Sequence, residues 1–190
     1  MKCHAVLLSA GVLLLGSACI QVNVPETRSA ATSHYALELP KDFKTPNVRV
    51  AVAEFSSESP AKFKMLSRTG TTLMRDPLAK WTQSPSVLLS SAFRDLFGCD
   101  ETDYSKAKYL LEGDIYVFER NLDTKTADLK VLYRLVRTDN NEGVFAKPLV
   151  SSVPVKDDSN KAFADAMSKA VVEQAEKIRQ EINALADKKK

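Results

Sequence analysis

Apolar and polar positions divide the chain into a strand-like middle and two helical stretches. Over residues 47–55, Val48, Val50 and Val52 alternate with Arg49, Ala51 and Ala53, and this period of two predicts a strand. Residues 34–39 predict a shorter strand, ended by Pro40. Residues 63–68 and 72–75 flank Gly70 and predict a hairpin. Two long strands follow. In the first, Tyr109, Leu111, Ile115 and Val117 share one face around Gly113, with Leu110, Tyr116 and Phe118 on the other. In the second, Leu129, Val131, Tyr133 and Leu135 face one way, and Asp128, Lys130 and Arg134 mostly the other. The short polar link over 121–126 predicts antiparallel pairing of the two. A last strand, over about 143–155, carries Pro148 and Pro154, which predict an edge position or bulges.

The helical stretches have a different period. Ser84-Pro85 supplies an N-cap and a first-turn proline. Leu88, Leu89, Ala92, Phe93, Leu96 and Phe97 then recur at three and four, and Gly98 ends the helix as a C-cap. A second helix is predicted over about 159–186. Its stripe is Phe163, Met167, Val171, Ala175, Ile178, Ile182 and Leu185, opposite a face of Lys, Glu, Gln and Arg. The sum is an α+β fold, a mainly antiparallel sheet packed by two amphipathic helices, in a single domain.

The first residues follow another grammar. Met1 and Lys2 give a positive start, residues 5–15 are apolar and uncharged, and Gly16, Ser17 and Ala18 are small. Cys19 follows directly. An apolar run of this length is too short to span about 30 Å of hydrocarbon, which takes roughly 20 residues, and reads instead as an export signal. The segment Leu14-Leu15-Gly16-Ser17-Ala18-Cys19 resembles the lipobox of bacterial lipoproteins, with the leucine one residue further from the cysteine than usual. The resemblance implies a signal peptide over 1–18, cleavage before Cys19, and fatty acylation of Cys19. Two or more acyl chains anchor stably where one does not. In that family an aspartate after the cysteine signals retention in the inner membrane. Ile20 stands there, which implies the periplasmic face of the outer membrane. Residues 19–33, polar and rich in Ser, Thr and Ala, read as a tether, and 34–190 as the domain.

Composition narrows the function classes. Of the 190 residues, 44% are hydrophobic and 27% charged, a globular balance. The net charge of +3 is too small to argue for nucleic acid. With Cys3 in the leader and Cys19 acylated, Cys99 has no disulfide partner in the chain, and reads as structural. His34 is the one histidine outside the leader, so no metal cluster is expected, and no cofactor. No G-x-S-x-G, phosphate loop or H-E-x-x-H occurs, and Asp157-Asp158 precede a predicted helix, where they favour its N-terminus. The chain is therefore not expected to be an enzyme.

One ordered set of motifs points further. It comprises Tyr35-Ala36-Leu37, Arg68 at a strand end, Trp81 and Pro85 in Trp-x-x-x-Pro, Leu111-Glu112-Gly113-Asp114-Ile115, and a long C-terminal helix. In this order they resemble the ABC-type transport auxiliary lipoproteins, the family of the paraquat-inducible intermembrane transport lipoprotein. The resemblance implies a noncatalytic component that works beside an ABC permease and ATPase and a mammalian-cell-entry (MCE) domain protein, moving lipid between inner and outer membranes. A homo-oligomer is compatible with it. Trp81, Arg75 and Arg68 are candidate partner contacts, against the plainer reading of Trp81 as core and of the arginines as wet strand positions. Two other functions fit the same sequence: an outer-membrane lipoprotein that regulates envelope or cell-wall assembly by binding a periplasmic enzyme, and a lipid carrier with an apolar cavity of its own.

Overall fold

The computed structural model describes residues 31–58, 62–99 and 104–187. The expected leader, Cys19 and most of the tether lie outside these residues. Among the described residues are eight strands and two α-helices: β1 (Ser33–Tyr35), β2 (Val50–Val52), β3 (Ser56–Ser57), β4 (Lys64–Thr69), β5 (Thr72–Trp81), α1 (Pro85–Phe97), β6 (Tyr109–Asn121), β7 (Thr126–Arg137), β8 (Gly143–Pro154) and α2 (Asn160–Asp187). A short 3₁₀ turn, Tyr104–Lys106, precedes β6.

The strands form one sheet in the order β1-β5-β4-β6-β7-β8. Its β4–β5, β6–β7 and β7–β8 pairs are antiparallel, as the short connections require. The sheet is nevertheless mixed. One edge of β6 is covered by three short strands in turn, each parallel to it: β2 beside residues 109–111, β3 beside 114–115 and β4 beside 120–121. β1 is parallel to β5. The strand expected over 47–55 is thus two pieces with Phe55 between them. The strand expected over 34–39 holds only at its start.

Helix α1 forms where its caps place it. The Ser84 side chain accepts from the Val87 N–H, Pro85 opens the helix, and Gly98 closes it at φ 63°. That left-handed value is why a glycine stands there. In α2 the predicted stripe is buried from Phe163 to Ile182, and Leu185 is half-buried. Tyr133 of β7 fixes both helices to one side of the sheet. Its ring lies 5.3 Å from that of Phe93 in α1, and its hydroxyl donates to Gln174 Oε1 in α2 at 2.9 Å. A side chain leaves a strand on one face only, so both helices cover that face. Gln174 also donates to the Leu129 carbonyl and to Ser151 Oγ, which leaves this buried amide satisfied.

Two irregularities alter the expected pattern. In β6 the register slips between Ile115 and Val117, a β-bulge that inserts one residue. Beyond it the faces exchange. Phe118 is buried against the core and Val117 pairs with the outward Lys130, the reverse of the alternation read from the sequence. In β5 the strand continues to Trp81 instead of stopping near Arg75. Between Leu66↔Arg75 and Lys64↔Lys80, two residues of advance on β4 match five on β5. The extra chain is taken up by a turn in which Asp76 Oδ1 accepts from the Leu78 and Ala79 N–H groups, both at 2.8 Å. Pro77, which cannot donate to a ladder, sits in that turn. At the other end of the sheet, β8 is an edge strand that tolerates Pro148 and ends on Pro154, as expected.

Candidate functional site

The hairpin tips of β4–β5 and β6–β7 lie side by side and are fastened together. The Gly70 N–H donates to Asp123 Oδ2 at 2.6 Å, and the Leu122 N–H to the Arg68 carbonyl at 2.9 Å. Gly70, at φ 53°, turns the first tip. Asn121 shapes the second, its Oδ1 accepting from the Asp123 and Thr124 N–H groups. On the outer side Arg68 pairs with the buried carboxylate of Glu119 in a bidentate fork along one guanidinium edge, Nε to Oε1 and Nη2 to Oε2. The hydrogen bond and charge of Glu119 raise the Arg68 pKa.

On the inner side, between these tips and the start of α2, lies an open cleft of about 580 Å³. Arg75, Arg120 and Lys125 bring positive charge to it, and the exposed side chains of Met74 and Leu122 bring apolar surface. Arg120 is 7% exposed. Its Nη2 donates to the Asp157 carbonyl at 3.3 Å and lies 3.7 Å from Asp158 Oδ1. A guanidinium has five N–H donors in a rigid fork, so these contacts use only part of its capacity.

The acidic neighbours are mostly committed elsewhere. Asp76 holds its own turn and accepts from Asn160 Nδ2 at 3.1 Å. Burial alone would raise its carboxyl, but the Leu78 and Ala79 N–H groups, Asn160 and the charge of Arg120 outweigh it and hold it below 3.8. Asp157 accepts from the Ser159 N–H at 2.8 Å. Asp158 is the freely exposed one.

The sequence-predicted residues are dispersed by this geometry. Arg75 lines the cleft. Arg68 is fixed outside it, on Glu119. Trp81 is a correction as a partner contact. It is 1% exposed and edges against Phe118 at 5.1 Å and Phe163 at 5.6 Å, joining sheet to α2. Its Nε1–H meets no acceptor among the described residues, so the indole contributes through burial. Cys99 donates to the Val50 carbonyl at 2.7 Å, and burial, partly offset by Arg94, pushes its thiol up to about 11. That makes it an inert structural cysteine. Arg120 and Lys125 were not anticipated. The available signal for Arg120 was a cation next to Glu119 at a strand end; its inward direction depends on the bulge. Among the described residues, no group of acidic, His and Cys side chains has the geometry to hold a metal ion, and no helix is long and apolar enough to cross a membrane.

The open face of the sheet is the other notable surface. Tyr116 is 56% and Val150 60% exposed there. Lys130, paired with Val150, lies over the Tyr116 ring at 5.9 Å. Beside them Arg134 bridges Glu112 at 3.3 Å and Asp114 at 2.5 Å.

No family model matches the chain, and no curated protein matches its sequence. Solved structures share its fold. Protein XCC0632 from Xanthomonas campestris, described with the family label DUF330, superposes with a TM-score of 0.69 at 18% identity, over 83% of this chain and 100% of that one. A second, described as an uncharacterised protein, gives a TM-score of 0.69 at 12% identity, over 80% of this chain and 99% of that one. At such identities the shared property is the fold: a mixed sheet with its helices, reproduced over the full length of both neighbours.

Proposed function

We propose that the chain is a lipid-anchored, noncatalytic docking component of an ABC/MCE-type system that moves lipid between the inner and outer membranes. The observation that carries the docking part is the contrast between a filled interior and a free sheet face. Phe55, Phe93, Tyr133, Trp81, Phe118 and Phe163 pack ring against ring between helices and sheet. A carrier would need its apolar cavity in that layer. The opposite face instead offers Tyr116 and Val150 to solvent, the kind of aromatic and aliphatic surface on which partners anchor. The transport assignment rests on the ordered motifs, among them Arg68 on Glu119, Trp81 in the core, Pro85 at the start of α1, and Gly113 beneath Phe55. The anchor rests on the lipobox-like segment ending at Cys19.

Purification of the tagged full chain from its native membranes tests the proposal. It should recover an MCE-domain protein together with the permease and ATPase. Recovery of peptidoglycan synthases alone would sink it in favour of a regulator of cell-wall assembly. Substituting Tyr116 by Ala should weaken recovery of the MCE protein without releasing the chain from the membrane.

A further inference from the structure

We propose that the cleft between the hairpin tips rests on the bilayer to which the chain is tethered and takes the anionic phosphate headgroup of a phospholipid. The inference builds on the anchor at Cys19, and three observations lead to it.

The first is where the chain enters the domain. β1 runs parallel to β5, with Ser33 beside Ala79 and Tyr35 beside Trp81. Going back from Ser33 therefore leads toward the Asp76 turn and Arg75, which is the cleft end of β5. The described chain thus enters the domain at the cleft end of β5. Fourteen residue steps separate Cys19 from Ser33. Fully extended they span at most about 50 Å, so the domain stays close to the membrane.

The second is charge. Arg75 and Lys125 are exposed at the rim, and the buried Arg120 keeps unused donors at the floor. Lys156 adds a fourth cation in the adjoining hollow, which Arg120 and Lys125 also line. Of the facing carboxylates, Asp76 and Asp157 are held by backbone N–H groups, and Asp158 is free to swing aside. Basic side chains near an anionic bilayer surface are attracted to it, within about one Debye length.

The third is chemistry at the rim. Met74 and Leu122 are exposed large apolar side chains in a cleft otherwise polar. A soluble anion has no use for them. A headgroup site does, because its phosphate sits directly above acyl chains into which such side chains dip.

The test uses the full lipidated chain, reconstituted into vesicles of phosphatidylcholine alone or of phosphatidylcholine with phosphatidylglycerol, and reads backbone hydrogen exchange over 72–78 and 121–126. Several-fold slower exchange on the anionic vesicles, abolished by high salt and by combined Arg75→Gln and Lys125→Gln, is the expected result. Equal exchange on both vesicles overturns the proposal while leaving the anchor intact. So does undiminished slowing in the double variant. Equal slowing by dissolved inorganic phosphate on neutral vesicles would mark a free-anion site and overturn the membrane reading. A chain that floats with neither vesicle lacks the lipid, and then the anchor and this inference fail together.

Discussion

Replacing Gly113 by Ala is the sharpest test of how the core is built. Gly113 lies opposite Tyr133 in the β6–β7 ladder, and Phe55 covers it from above. A Cβ added there would sit 2.9 Å from Phe55 Cγ and Cδ2 and 3.0 Å from Cε2. The ring cannot simply swing away. It is 2% exposed and bounded by Phe93 at 5.5 Å and Tyr133 at 5.9 Å. Glycine thus serves here as space for an aromatic ring, since its backbone conformation is not of the left-handed kind.

Overpacking of this sort costs about 1–3 kcal/mol. Alanine recovers about 0.4–1 kcal/mol by restricting the unfolded chain. The net loss expected is about 1–2 kcal/mol, and at roughly 2–4 °C per kcal/mol for a domain of this size the Tm falls by about 2–8 °C. Thermal unfolding followed by far-UV circular dichroism reads the shift. A double-mutant cycle gives the cause: Phe55→Leu should cost less in the Gly113→Ala background than alone, with a coupling of about 0.5 kcal/mol or more. An unchanged Tm, or strictly additive effects, would refute the steric account.

The remaining predictions concern other groups. Trp81→Ala should cost about 3–5 kcal/mol, most of the stability of an ordinary domain, and Trp81→Phe markedly less because it also removes an unpaired N–H; urea titration separates the two. Arg134 and Ser56 hydrogen-bond Asp114 and hold its carboxyl below 3.8, so its folded-state value lies below the unfolded one. Its contribution is therefore complete above about 3.8 and is lost as the pH falls through the lower folded value; acid unfolding of Asp114→Asn should depend less on pH across that window. Cys99, raised to about 11, should react with a disulfide reagent near neutral pH about a hundredfold more slowly in the folded chain than in the urea-unfolded one, and equal rates would contradict its burial. Cys19→Ser should abolish acylation, detected by mass spectrometry of the N-terminus, and release the domain from the membrane fraction.

The elements with local signals were legible in the sequence. Ser84-Pro85 and Gly98 bound α1 because caps act on their own neighbours, and the stripe from Phe163 to Ile182 marks α2 because burial of one helix face needs a period near 3.6. Features that depend on partners distant in sequence were not. Residues 47–55 read as one alternating strand, yet residues 53–55 separate β2 from β3 where the Phe55 ring packs onto Gly113, and β2 is buried on both faces. Trp81 shows the same limit. Its neighbours Phe118 and Phe163 lie far along the chain, so nothing local decides between core and contact surface.

The bulge at Tyr116 links these losses to the missed part of the site. Strict alternation through β6 would place every even-numbered residue from Leu110 to Arg120 on the solvent face. One inserted residue reverses that parity after Ile115. Phe118 consequently turns inward to meet Trp81, and Arg120 turns inward to floor the cleft, while Glu119 turns outward to hold Arg68. Period-two reading cannot detect a bulge, because the insertion preserves the composition of the strand and changes only its phase. The same slip therefore makes a core contact and exposes a guanidinium to the cleft. Deleting Tyr116 alone should take out the inserted residue and leave Val117 opposite Lys130 and Phe118 opposite Leu129, so Phe118 stays in the core and Arg120 stays at the cleft, with little loss of stability. Deleting Val117 as well should shift the phase and turn Phe118 and Arg120 outward together, with a large loss of stability. A double deletion that keeps full stability would break this link.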